Sequence, residues 1–201
     1  MAPAVSKTPH HSSAHSARRL SADDRRQQIL DMAAQLFIQR GFEGVRMADL
    51  AQALGTSRPT IYGYFASTEE MLSGLLEQQL DGLPERLRPY LLQGPGRFRA
   101  LFGALLQERE LLLLLNAGGG PLFRQKRQEF LLTVQERLNI TELPRAQRHA
   151  AEQPYLALIV MELLGALSYA QLSQGELDTT QLSRHLNDFI EGGLAAVTRQ
   201  T

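Results

Sequence analysis

LAQALGTSRPTIYGYF, residues 50–65, reads as two short helices joined by a tight turn. Ala51 supplies the small side chain that two steeply crossing helices need where they nearly touch, and Gly55 can take the left-handed backbone of the turn. Leu50, Leu54 and Ile61 are spaced to lock the second helix onto the first. Pro59 falls in the first turn of that second helix, where its missing N–H removes no hydrogen bond. The outward positions, Ser57, Arg58, Thr60, Tyr62 and Tyr64, form a polar, hydrogen-bonding face around Pro59. Core packing has little use for such a face, whereas phosphate oxygens and base edges in a duplex groove do. The pattern predicts a helix-turn-helix whose second helix reads DNA.

Helical signals extend to either side of it. Ser21 followed by Asp24 marks a helix start, Ile29, Leu30, Ala33, Leu36 and Phe37 recur at helical spacing, and Gly41 ends the run. Met47, Leu50, Ala51 and Leu54 give the second helix, and residues 57–64 the third. Ser67 and Glu70 predict a capping box opening a fourth helix through Met71, Leu72, Leu75 and Leu76. Downstream, Gly82-Leu83-Pro84, Gly94-Pro95-Gly96 and Gly118-Gly119-Gly120-Pro121 separate further helices, and two long ones close the chain at about 144–174 and 181–198.

Composition agrees. The 201 residues include 36 Leu against 6 Ile and 5 Val, a ratio that favours helices over strands and predicts an all-α protein. The absence of cysteine excludes disulfide frameworks, thiolate metal sites and cysteine nucleophiles. Formal net charge is zero, but residues 1–65 hold eight basic and five acidic side chains, so the N-terminal part carries +3 and the remainder −3. The sign favours an anion-binding N-terminal region. Residues 1–20, rich in Ser, Ala, Pro and His, are expected to be a disordered basic tail able to brush DNA phosphates. The apolar stretch from Leu156 to Ala170, interrupted by Glu162, reads as too short to cross a bilayer, so a cytoplasmic protein without membrane contact is expected. His149 and His185 stand without a serine elbow, a metal-spaced pair or a phosphate-cradling loop, so neither catalysis nor a cofactor is expected.

Residues 25–79 resemble the DNA-binding domain of the TetR (tetracycline repressor) family of bacterial transcription regulators. The resemblance rests on ILDMAAQLF at 29–37, RGFEGV at 40–45, DLA at 49–51 and TIYGYF at 60–65, with 67–72 matching the start of the helix that leaves the domain. It implies a DNA-binding domain at 21–66 and a helical effector-binding and dimerisation domain at 67–201. It also implies a homodimer formed through the two C-terminal helices, binding a palindromic double-stranded operator. The family's base-reaching positions fall on Arg58, Pro59, Thr60, Tyr62 and Tyr64, with phosphate contacts expected at Arg46, Ser57, Ser67 and Thr68. Where the family usually opens its second helix with Thr or Ser this chain has Val45-Arg46, and Thr68 replaces a frequent Lys; Arg46 can offer a charge-assisted bond instead.

For the helical half the resemblance implies a small-molecule pocket, for which Phe98, Phe102, Tyr155 and Met161 are the lining candidates. Glu162 is a candidate polar contact and, lying in an apolar run, needs a partner. Small residues at Gly165, Ala166, Ala170, Ala195 and Ala196 suit close helix approach between subunits, and Gly192-Gly193 within the last helix suggests a tight contact. The resemblance implies a ligand-released repressor and leaves open a constitutive or protein-controlled regulator.

Overall fold

The computed structural model describes residues 21–138, 156–175 and 177–199, and side chains up to Val197. The expected N-terminal tail, His149 and the start of the predicted helix at 144 lie outside the described residues. Every regular element among those described is helical: α1 Ala22–Arg40, α2 Met47–Ala53, α3 Arg58–Tyr62, α4 Thr68–Leu80, α5 Leu83–Leu91, α6 Arg97–Gln107, α7 Arg109–Leu114, α8 Pro121–Arg137, α9 Leu156–Gln174 and α10 Thr179–Arg199. A 3-10 turn, Phe42–Gly44, links α1 to α2.

The start of α1 follows from its cap. Ser21 Oγ accepts the Asp24 N–H at 3.0 Å while the Asp24 carboxylate accepts the Ser21 N–H at 3.4 Å, so two helix-end donors are satisfied reciprocally. Ile29, Leu30, Ala33 and Phe37 are then completely buried. Burial of each large side chain of this kind contributes roughly 1.5–3 kcal/mol. Helix α4 crosses α1 with Gly74 against Leu30, and the Gln78 amide donates to the Gln27 side chain at 2.7 Å. Its cap differs from the predicted box. Ser67 Oγ accepts the Glu70 N–H at 3.1 Å, but Glu70 reaches one residue further back, to the Ala66 N–H at 2.6 Å. The extended backbone of Ser67 (φ −157°) accompanies that reach.

Beyond α4 the helices surround α6, which packs against α5, α7, α9 and α10. The buried apolar side chains form one cluster that runs from Ile29 in α1 to Ile190 in α10. No break separates the first four helices from the rest. Met71 and Leu72 of α4 are fully buried and α4 packs on α1, α5 and α8, so this helix belongs to both halves of the core.

Two expectations change. The stretch expected to be too short to span a bilayer is a continuous 19-residue helix, α9, long and apolar enough by length and composition to do so (mean hydropathy 1.6), since Glu162, a good helix former, does not interrupt it. Gly192 and Gly193 meet no tight contact within the subunit: a Cβ at either position finds no atom within 4 Å.

At Gly55 φ is +59°, and a Cβ there would meet nothing within 4 Å. The glycine is required by backbone conformation, not by space. Gly55→Ala is expected to lower unfolding free energy by about 1–2 kcal/mol, the cost of a left-handed L-residue. Urea unfolding followed by circular dichroism checks this; an unchanged midpoint would remove the strain argument.

Candidate nucleic-acid interface

Helix α3 is five residues long, and its two sides differ completely. Ile61 and the following Phe65 are buried to 0% and 1% exposure, while Arg58 and Pro59 are exposed and Tyr62 keeps 55% of its surface in solvent. Ser57 caps the helix: its Oγ accepts the Thr60 N–H at 3.3 Å and lies 2.8 Å from Thr60 Oγ1. The cap ties the Thr60 hydroxyl to Ser57, so these two residues act as a unit. Tyr64 is half-buried and packs against the core, which anchors its ring more firmly than the ring of Tyr62.

The flanking candidates border the same region in sequence. Arg46 precedes α2 with an exposed side chain, and its N–H is accepted by Asp49 at 2.7 Å, in place of the hydroxyl cap that the sequence lacks. Asp49 also lies 3.9 Å from Arg40. Ser67 and Thr68, both half-buried, open α4. The guanidinium of Arg26 stacks over Phe65 at 4.7 Å and holds the end of the reading segment to α1.

Sequence reasoning missed a contact between the reading region and the helical half. The Glu43 carboxylate, in the 3-10 turn ahead of α2, accepts the N–H groups of Gly119 at 3.2 Å and Gly120 at 2.6 Å, where α8 begins. Beside it the Phe42 N–H donates to the Ala117 carbonyl, and Arg124 donates to the Gly119 carbonyl. Phe42 joins Phe37 and Phe123 in a row of rings with centroids 5.2 and 5.7 Å apart. A Cβ on Gly120 would stand 2.7 Å from the Glu43 oxygen and one on Gly118 2.7 Å from the Phe123 ring. The glycines therefore permit close approach, a signal the sequence carries but which reads there only as a loop. Burial raises the Glu43 pKa, but hydrogen bonds from the Gly120, Glu43 and Gly119 backbone together with the positive Arg124 outweigh it and hold the carboxyl below its ordinary value.

In the helical half, a cavity of about 80 Å³ lies between α5, α6, α7, α8 and α9. Of the four described lining or contact candidates, Met161 is on its wall. Phe98 and Phe102 are buried core residues of α6 that do not line it. Glu162 is engaged elsewhere: both its oxygens are held by Arg127, at 2.9 and 2.6 Å. Tyr155 lies outside the described residues. Gly165, anticipated at a subunit contact, is on the cavity wall.

Comparison with known proteins places this geometry. Residues 29–75 match the family described as bacterial regulatory proteins, tetR family. The HTH-type transcriptional activator FasR of Mycolicibacterium smegmatis is 34% identical over 73 residues, 36% of this chain and 33% of that protein. The HTH-type transcriptional repressor KstR2 of Mycobacterium tuberculosis is 38% identical over 66 residues, 33% of each chain. The alignments thus span about a third of the length of these curated relatives. A crystal structure of a transcriptional regulator from Pseudomonas aeruginosa superposes with a TM-score of 0.66 at 16% identity, over 90% of this chain and 96% of that one. At that identity the likeness speaks for the fold, which extends through the helical half.

Glu43→Gln is expected to destabilise the protein at neutral pH, since the amide keeps an acceptor but loses the charge that three backbone donors and Arg124 favour. The folded-state pKa lies below the unfolded one, so the stabilisation is complete above the unfolded carboxylate pKa and vanishes as pH falls through the folded value. Denaturant unfolding of both proteins between neutral and acid pH should show the gap closing on the acid side. A gap independent of pH would show that the charge has no part in the contact.

Proposed function

Through its DNA-reading domain the chain belongs to the TetR family, and from that premise we propose that it is a sequence-specific DNA-binding transcription regulator, a repressor released from a palindromic operator by a small-molecule effector. The observation that carries the reading is the outward presentation of Arg58, Pro59 and Tyr62 on a helix whose inward side is fully buried. Arg58 donates two hydrogen bonds to a guanine edge, and Pro59 and the Thr60 methyl meet a thymine methyl. The hydroxyls of Tyr62 and Tyr64, with Arg46, Ser57, Ser67 and Thr68, reach phosphates and fix register. On this reading residues 21–66 are the reader and 67–201 the effector-binding and dimerising part.

A palindromic operator requires two readers at fixed spacing. The exposed apolar surface of the last two helices supports a homodimer built on them: Ile159 of α9 is 58% exposed and Phe189 of α10 72%. Side chains of that kind favour burial against a second copy. The open space beside Gly192 and Gly193 leaves room there for a partner helix. Release follows if the effector prefers a conformation in which the readers no longer fit successive grooves. A preference of roughly 1–3 kcal/mol changes operator affinity about 5–150-fold. The Glu43 contact and α4 are the two routes by which the helical half acts on the reader.

Two experiments test this. Selection of bound duplexes from random sequence is expected to yield an inverted repeat, and Arg58→Ala should weaken binding to it by about 1–3 kcal/mol while relaxing preference at one base pair per half-site. Unchanged affinity and preference would displace α3 as the reader. Phe189→Asp is expected to shift the protein from dimer to monomer in analytical ultracentrifugation and to lose operator binding; a variant that stays dimeric rules this face out as the subunit contact.

A further inference from the structure

We propose that the cavity between α5 and α9 binds an uncharged aliphatic molecule, so that the effector of this regulator is a neutral, chain-like compound and not a carboxylate, a cation or a planar aromatic. The inference rests on the reading of the helical half as effector-binding and adds the ligand's chemistry. Every side chain on the wall is hydrocarbon or thioether, and most are leucines, among them Leu87, Leu105 and Leu115. Among the described residues, no hydrogen-bonding or charged side chain faces the space. A polar group carried into it would lose its water without gaining a partner. Among the described residues Phe130 is the single aromatic on the wall, and these residues offer no pair of rings to clamp a flat ligand.

Gly165 is the opening in the lining. A Cβ built on it has no neighbour within 4 Å, so the space directly above this glycine is empty. The space does not suit a carboxylate, because its described lining is apolar and Arg127, a cation that α8 sets against α9, is already held by both oxygens of Glu162. Apolar cavities of this type stay dry and accept apolar guests.

The test uses the full-length protein with octanol, octanoate and indole as probes, read by thermal shift and by titration calorimetry. Octanol is expected to raise the melting temperature saturably, with octanoate and indole giving no shift at the same concentration. Gly165→Leu fills the space and should abolish the octanol shift; Gly165→Ala, which favours the helix and keeps the protein folded, should reduce it. Octanoate or indole matching octanol would overturn the ligand class, as would an octanol shift that survives both glycine variants. The regulator reading is judged separately, by binding of the unliganded protein to its selected duplex. Loss of that binding on octanol addition, in the wild type and not in Gly165→Leu, supports both. Saturable octanol binding at Gly165 with unaltered duplex affinity supports the ligand class and overturns ligand release.

Discussion

The burial of Ile61 and Phe65 is the constraint from which the rest of the structure takes its meaning. A helix of five residues has no stability of its own in water. Its direction is fixed because two apolar side chains on one side enter a core already formed by α1 and α2, while Ser57 at its start and the left-handed Gly55 before it leave no other path for the chain. Once that side is committed inward, Arg58, Pro59 and Tyr62 have no choice but to face water. The exposed polar face is thus a consequence of core packing, and it is held at an angle set by the buried Ile61 and Phe65.

That core does not end where the reader ends. Phe37, Phe42 and Phe123 carry it from α1 into α8, and the Glu43 carboxylate bonds the turn ahead of α2 to the first amides of α8. Helix α8 contributes Phe130 and Val134 to the wall of the cavity, while α4 packs on its other flank. One rigid rod therefore touches the reader at its N-terminal end and the cavity further along. A tilt of α8 would bear on the Gly119–Gly120 amides that precede it, and so on their bonds to Glu43.

Much of this was legible in the residues because the signals were local. Ser21 with Asp24, Gly55 between two apolar repeats and Pro59 at a helix start each state their own geometry within a few positions, and the first four helices follow from them. The Glu43 contact was not legible, since its partners lie 76 and 77 residues away and a glycine run before a proline looks the same whether it admits a carboxylate or merely turns. Glu162 announced only a need: a charge in an apolar helix must be paired, but nothing in the spacing named Arg127. Aromatic residues misdirected the cavity reading. Phe98 and Phe102 stabilise α6 by filling space, while the void is left by leucines, whose many equivalent positions along the chain give no sequence cue.

The two faces of α9 explain why a helix apolar enough to span a bilayer belongs in a helical bundle. One face is taken: it packs against α6, α7 and α8, lines the cavity with Met161, Leu164 and Gly165, and carries Glu162 to Arg127. A lipid-embedded helix would have to hold that ion pair in hydrocarbon, at a cost of several kcal/mol for each group. The other face, marked by Ile159, remains free for an apolar partner, and Phe189 on α10 presents a second such surface. A second copy of the chain, in the proposed dimer, would cover both surfaces and place a partner against the very helix that walls the cavity. Under the proposed dimer, a ligand that displaces α9 therefore alters the subunit contact and the α8 rod together, and both changes bear on the distance between the two reading helices.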